Sequence, residues 1–402
     1  MFGWEFPPFN SGGLGVACLG LTKALARRQA EIIFVLPRRL SLRADFLRFL
    51  FADTGDVTFR GIDTSLVPYL SSENYLKGFR NKREPGIYGG NLFDEVRRYA
   101  ERAKVIARRE NFDLIHAHDW LSFLAGLEAK KISGRPLIVH LHATEFDRTG
   151  GHNVNQFVYE IERRGLQEAD RVIAVSELTK KVAVEKYGIP PSKIEVVYNG
   201  IDSSGSSALA PASSNVFTEL KEKGHQLVVF VGRITIQKGP DYFLRAAKKV
   251  SELKDGVVFV MAGAGDMMPK IIRETANLGI ANKVFFAGFL RGEELASLYR
   301  AADLFVMPSI SEPFGITPLE AIKEGTPVLI SKQSGVSEVL VNALKVDFWD
   351  VDEIANKILA VLNYRSLPEC LSSHSRKELP GINWDRAADN CLAIYGKVLA
   401  SH

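Results

Sequence analysis

Short apolar, β-branched runs alternate with amphipathic stretches along almost the whole of this chain, and that rhythm constrains its fold more than any other feature. Ile32 to Pro37 (IIFVLP), Leu114 to His118 (LIHAH), Leu137 to His142 (LIVHLH), Arg171 to Ser176 (RVIAVS) and Ile194 to Asn199 (IEVVYN) have the length and composition of strands buried on both faces. Between them, Asp94 to Arg109 and Val154 to Ala169 carry helical periodicity. Strand followed by helix followed by strand predicts βαβ units. The expected class is therefore α/β, a doubly wound parallel sheet with helices on both faces.

The rhythm breaks at Ile201 to Asn215 (IDSSGSSALAPASSN), which has little to bury and reads as a linker. It then restarts with Gln226 to Gly232, Val257 to Gly263, Val284 to Gly288, Leu304 to Ser309 and Val328 to Ser331. At about 150 residues per domain, two such units suit a chain of 402 residues. The expected division is a Rossmann-like domain over 1–200, a linker over 201–215, a second Rossmann-like domain over 216–383 and a C-terminal helix over 384–402. No strand follows that helix, Trp384 to Leu399, so it is free to pack on either domain. Ligands of doubly wound sheets sit at the carboxyl ends of the strands, and with two sheets the natural site is the cleft between them. The opening Met1 to Glu5 is only a stub beside a usual strand of about five or six residues. It is expected to be either a shortened or a frayed first strand.

Composition narrows the function classes. Lys+Arg is 51 and Asp+Glu is 47, an excess of +4. The basic pairs Arg27-Arg28, Arg38-Arg39 and Arg163-Arg164 are scattered and read as solvated helix faces, not as the dense stripe of a nucleic-acid binder. Cys18, Cys370 and Cys391 form no Cys-x-x-Cys, which fits a reducing compartment and implies neither a zinc knuckle nor a redox pair. No apolar run approaches the roughly 18 residues of a membrane helix, and no signal-peptide pattern opens the chain. The expectation is a cytoplasmic protein without stable membrane insertion.

Three turns at strand-to-helix junctions carry chemistry. Ser11-Gly12-Gly13-Leu14-Gly15 precedes the helix Val16 to Arg28, and Gly12 and Gly13 let backbone N–H groups approach an anion. Gly232-Arg233-Ile234-Thr235-Ile236-Gln237-Lys238-Gly239-Pro240 puts Arg233 and Lys238 beside a helix start, with Pro240 as its first residue; two fixed cations at a helix dipole suit a diphosphate. The third is Ser311-Glu312-Pro313-Phe314-Gly315-Ile316-Thr317-Pro318-Leu319-Glu320. Thr317, Pro318 and Glu320 read as N-cap, N1 and N3 of a capping box. Glu312 has no such explanation and can bind sugar hydroxyls or stabilise positive charge. Gly315, Ile316 and Thr317 offer further backbone N–H groups.

His116-Ala117-His118-Asp119-Trp120 ends one strand and His140-Leu141-His142-Ala143-Thr144-Glu145 ends the next. Alternation pairs His116 with His118 and His140 with His142. The ligand spacing favours polar pocket lining over a metal cluster, so no metal site is expected. Gly263-Ala264-Gly265-Asp266-Met267-Met268 lacks the third glycine of a dinucleotide fingerprint. Asp350-Val351-Asp352 reads as a cap, Asp350 with Glu353, ahead of the helix Ile354 to Leu362, and not as a metal-binding Asp-x-Asp.

Gly12-Gly13-Leu14-Gly15, His116-Ala117-His118-Asp119-Trp120, Arg233-x4-Lys238-Gly239 and Glu312-x7-Glu320 together resemble the family 4 retaining glycosyltransferases of GT-B fold, over nearly the whole chain. The opening WEFPPFNSGGLG and the HAHDW run are similar to glycogen and starch synthases. The resemblance implies two Rossmann-like domains facing a central cleft, and glucose transfer from ADP-glucose or UDP-glucose to the non-reducing end of an α-1,4-glucan. By position, it implies that Arg233 and Lys238 hold the donor diphosphate with Gly13, that Glu320 binds the ribose, and that Glu312 binds the glucose and stabilises the oxocarbenium-like transition state. His142 would contact the sugar, Asp119 would line the acceptor side, and Leu290 would lie near the base. No metal and no cofactor beyond the donor are implied. Bacterial glycogen synthases carry a Lys where this chain has Asn10, a departure that keeps a family 4 enzyme for envelope glycans or small acceptors open as the alternative.

Overall fold

The computed structural model describes residues 1–9, 12–52, 92–202 and 216–402. Asn10, Ser11 and most of the expected linker lie outside the described residues. The chain divides into two compact units, Met1–Gly200 with Trp384–His402, and Ile201–Asn383.

The first unit has strands β1 (Ile33–Leu36), β2 (Arg48–Phe51), β3 (Ile115–His118), β4 (Leu137–Leu141), β5 (Arg171–Ala174) and β6 (Ile194–Val196). β1 pairs with β2, and β3 to β6 pair in sequence order, all parallel. The opening residues join the two groups. Phe2 bridges Val35 on one side and Ala117 on the other, both parallel. The Phe2 N–H donates to the His116 carbonyl at 2.8 Å, and the Phe2 carbonyl accepts the His118 N–H at 3.0 Å. The Tyr99 hydroxyl lies 3.0 Å from the Gly3 carbonyl and 2.7 Å from that of Val35, pinning the stub from the side. The resulting order, β2-β1-opening-β3-β4-β5-β6, is doubly wound, with its switch point between the opening segment and β3. β3 and β4 are buried along their whole length, as strands covered on both faces must be.

The helix Trp384–Ala400 belongs to this unit and packs on the helix Gly13–Arg27. A Cβ on Gly20 would sit 2.2 Å from the Trp384 indole, so the close approach requires glycine there. Arg27 and Arg28 pair with Asp385, and Arg28 also with Asp389. The Arg27-Arg28 pair is thus a docking feature, not a merely solvated face.

The second unit holds β7 (Gln226–Val231), β8 (Val257–Ala262), β9 (Val284–Gly288), β10 (Leu304–Met307), β11 (Val328–Ser331) and β12 (Leu344–Val346). Their order is β12-β11-β10-β7-β8-β9, the doubly wound arrangement with its switch point between β7 and β10. Phe230, Phe243, Phe259 and Phe305 fill its core.

Three elements escape the sequence rhythm. β2 and β12 are edge strands of four and three residues, too short for a distinctive run. The helix Ser366–Glu378 has one buried residue, Ser375, and so no apolar stripe to announce it. At the helix Val351–Asn363, Asp350 accepts the Glu353 N–H at 2.9 Å, as expected of a cap. The capping box expected at Thr317 is corrected. Ile316 is the N-cap, already helical at φ −79 and ψ −33, Thr317 is the first helical residue, and no side chain caps this end.

Candidate active site

In the second unit the chemistry gathers at the switch point. β7 ends at Val231 and the chain turns through Arg233 into a short 3-10 turn, Ile236–Lys238, before the helix Pro240–Leu253. Gly239 joins turn to helix at φ +64, and a Cβ there would lie 2.1 Å from the Pro308 carbonyl oxygen. Only glycine allows the turn carrying Lys238 to press against the end of β10. The glycine run after β8 serves a similar purpose: at φ +142, a Cβ on Gly263 would lie 1.8 Å from the Gly232 carbonyl oxygen. Those glycines let two loops meet backbone to backbone beside Arg233.

Lys238 reaches across the switch point to Glu312, its Nζ paired with Oε2. Ser309 Oγ lies 3.3 Å from the same carboxylate oxygen. The Glu312 backbone is fixed from both sides: its N–H donates to Gln333 and its carbonyl accepts the Gly335 N–H, each at 2.9 Å. Arg233 Nη2 donates to Gln237 Oε1 at 2.9 Å. Gly315, at φ +102, folds directly over the Glu312 side chain. Ile316 and Thr317 then open the helix Thr317–Glu324, whose first backbone N–H groups carry partial positive charge. Glu320 does not cap that helix; the Tyr299 hydroxyl lies 3.4 Å from its Oε2. Burial raises the Glu320 pKa, opposed by the Tyr299 hydrogen bond and by Lys323. Tyr299, buried under this carboxylate, gave no signal in the sequence. Leu290 lies half-buried in the turn after β9, beside Phe289, over whose exposed ring the Arg291 guanidinium sits at 4.7 Å.

In the first unit, Gly12 caps the helix Gly13–Arg27 in extended backbone at φ −171. A Cβ on Gly12 or Gly13 would meet nothing within 4 Å, so open space adjoins this helix start. The buried Glu5 carboxylate accepts the Gly15 N–H at 3.0 Å there. Glu5 escaped the sequence reading because it precedes the glycines on the opening strand.

Asp119 follows β3 at φ +60 and ψ 168, a strained backbone for a non-glycine residue. It is fully buried, and its Oδ1 accepts the N–H groups of His142 (2.7 Å) and Ala143 (3.2 Å). The carboxylate expected on the acceptor side therefore holds the loop that carries His142. Behind that loop, Arg148 donates to the Ala143 carbonyl and pairs with buried Glu145 and Glu162. Burial pushes Glu162 up to about 7, against the pull of Arg148 and the Tyr187 hydroxyl.

Three histidines from β3 and β4 and a fourth, His142, just beyond β4, form a square. His116 stacks on His118 at 4.3 Å and His140 on His142 at 4.2 Å. Across the strands, His116 Nε2 lies 3.2 Å from His140 Nδ1, and His118 Nδ1 lies 3.0 Å from His142 Nε2. Burial lowers all four pKa values, that of His142 to about 3. Ligand-capable atoms of His116, His118 and His140 lie within 4.8 Å of one another. Linear spacing hid this because strand pairing, not sequence proximity, brings them together.

The family described as "Glycosyltransferase Family 4" matches residues 11–204, and "Glycosyl transferases group 1" matches 213–378. An uncharacterized glycosyltransferase of Methanocaldococcus jannaschii is 29% identical, over 98% of this chain and 97% of its own. A D-inositol 3-phosphate glycosyltransferase of Salinispora tropica is 31% identical, over 75% and 67%. A glycogen synthase of Mycobacterium tuberculosis is 26% identical, over 98% and 93%. Among solved structures, sucrose-phosphate synthase from Thermosynechococcus elongatus superposes with a TM-score of 0.78 at 19% identity, covering 100% of this chain and 98% of that one. Anabaena HepE, solved with UDP-glucose, gives 0.66 at 18% identity, with 98% of each chain covered. Among the described residues, no helix is long and apolar enough to cross a membrane.

Proposed function

We propose a reaction from one premise: the chain belongs to the glycosyltransferases of group 1 and family 4, with the α/β architecture of the GT-B enzymes. Its donor is a nucleoside-diphosphate glucose, ADP-glucose or UDP-glucose. Its product is an α-1,4-glucan extended at the non-reducing end, with retained configuration and with no metal or further cofactor.

The observation that carries this reading is the Lys238–Glu312 pair at the switch point of the second unit, with Arg233 beside it. A departing nucleoside diphosphate gains negative charge, so fixed cations and a helix N-terminus stabilise the transition state more than the ground state. Glu312, freed from Lys238 by the incoming diphosphate, is a carboxylate for the positive charge that grows on the sugar. Arg233 and Lys238 hold the diphosphate, and in their own unit Gly12 and Gly13 offer backbone N–H groups to an anion. Gly315, Ile316 and Thr317 add backbone donors, Glu320 takes the ribose and Leu290 lies by the base. His142 contacts the sugar, and Asp119 fixes His142. The likeness to a glycogen synthase along 98% of this chain supports the glucan.

Incubation with ADP-[14C]glucose or UDP-[14C]glucose and glycogen tests it. Label in the polymer, released as maltose by an exo-α-1,4-hydrolase, is the expected result. Unlabelled polymer with both donors would remove the glucan. A second reading is then favoured by Asn10 and by the Salinispora tropica relative: another nucleotide sugar and a small phosphorylated or envelope acceptor, which a donor and acceptor screen would identify.

A further inference from the structure

The histidine square contains two orphaned atoms. Nε2 of His118 and Nε2 of His140 are buried and have no hydrogen-bond partner among the described residues. All four rings are held neutral by burial, so each carries one proton on one nitrogen. A buried N–H without an acceptor is a rarer and costlier orphan than a buried lone pair. The protons of His118 and His140 therefore sit on Nδ1, and the remaining assignments follow from the distances. His140 Nδ1–H donates to His116 Nε2, which places the His116 proton on Nδ1, 2.6 Å from the Tyr395 hydroxyl. Tyr395 is left to donate to the Cys391 thiol. In the other row, His118 Nδ1–H donates to His142 Nε2.

We infer that all four imidazoles are Nδ1–H tautomers, and that His118 is a positioning residue which makes half-buried His142 offer an N–H, not a lone pair, to its ligand. His142 Nδ1 has no hydrogen-bond partner among the described residues, while its lone pair at Nε2 is occupied by His118. The ligand group it fits is an oxygen acceptor, such as a sugar hydroxyl or a phosphate. His142 cannot take up a proton from such a group without losing His118. This deepens the reading of His142 as a sugar contact and rests on it for the word sugar, although the tautomer does not depend on it. The stacked pairs 116/118 and 140/142 lie within 24° and 22° of parallel. Two of the ligand-capable nitrogens, His116 Nε2 and His140 Nδ1, lie 3.2 Å apart and are taken up by a hydrogen bond to each other, which favours this relay over a shared metal ion.

The test is two-bond 1H–15N correlation spectroscopy of the whole chain, 15N-labelled at histidine, assigned with single His→Phe variants. Expected are protonated Nδ1 and bare Nε2 signals for His116, His118, His140 and His142. In His118→Phe, which keeps a flat ring but no donor, His142 should lose that preference, and kcat/KM should fall about 10- to 100-fold, a range taken from metal-ligating histidines that lose the partner orienting them. His118→Asn keeps a donor near the Nδ1 position and should recover part of both. A protonated Nε2 on His142 in the unsubstituted chain would overturn the inference. So would one equivalent of Zn²⁺ shifting His116, His118 and His140 together, since that outcome makes the square a metal site. If no donor supports transfer, the glycosyltransfer reading of His142 fails while the spectrum still decides the tautomers.

Discussion

Lys238 and Glu312, 74 residues apart in sequence, are paired at the ends of adjacent parallel strands β7 and β10. On the proposed reading, each is thereby held for a diphosphate sugar. The pair is mostly shielded, with side chains 18% and 8% exposed, so neither charge is fully repaid by water once its partner is removed. On that reading, a diphosphate entering this site would compete with Glu312 for Lys238.

That competition separates two variants. Lys238→Ala should weaken binding of the nucleoside diphosphate by about 1.5–3 kcal/mol, as for a lost charge-assisted hydrogen bond. Glu312→Gln should bind it as tightly or more tightly, because Lys238 is released, yet lose transfer. Calorimetry with the diphosphate and a transfer assay read the two effects; weaker binding in Glu312→Gln would contradict the competition.

Tyr299→Phe removes only the hydroxyl beside Glu320. If Glu320 holds the ribose, KM for the donor should rise by an amount worth about 0.5–1.5 kcal/mol, with kcat little changed. Initial-rate kinetics at saturating acceptor would show it, and an altered kcat with unchanged KM would count against that role.

Gly239→Ala forces a Cβ into the Pro308 carbonyl oxygen from a left-handed backbone. A loss of roughly 2 kcal/mol or more is expected from conformation and overpacking together. Chemical denaturation measures it; a neutral effect would mean that the turn can move away from β10.

Trp384→Ala should cost about 3–5 kcal/mol, the range for truncating a large buried aromatic. Trp384 is 6% exposed and anchors the C-terminal helix on the Gly20 surface. Urea unfolding of the variant should show the loss in the transition of the first unit. An unshifted transition there would detach the helix from that core.

The buried imidazoles predict a pH dependence of stability. Burial holds the folded pKa of His116, His118 and His140 well below 6.5, so beneath that value the unfolded chain binds protons that the native chain does not. Stability is then lost as pH falls through 6.5, and by pH 5.5 the three together remove roughly 4 kcal/mol, at about 1.4 kcal/mol each. Glu162 acts in the opposite sense. Its folded pKa near 7 exceeds the ordinary 4.5, so the native chain gains stability as pH falls between those values. Over the same interval one carboxyl returns only about 2 kcal/mol, and the histidines win. The urea midpoint should drop between pH 7.5 and pH 5.5; a constant or rising midpoint would show that the imidazoles are not buried neutral.

Hydrophobic rhythm in the chain was enough for the α/β class, for most of the buried parallel strands and for the turns that carry Arg233, Lys238 and Glu312. Those properties are local: a strand covered on both faces must be apolar at every position, and a phosphate turn needs its glycines and cations within a few residues. Short edge strands such as β12 and the polar helix Ser366–Glu378 left no comparable trace, because little of them is buried. Pairings across the sheet lay beyond any local pattern. Strand register set His118 opposite His140, diagonal contacts then joined His116 to His140 and His118 to His142, and packing of a distant helix set Trp384 on Gly20 and Tyr395 on His116. Sequence supplied the candidate groups for chemistry. Only the folded structure decided which group each one faces, because those partners are joined through space by burial and hydrogen bonding and not by their spacing along the chain.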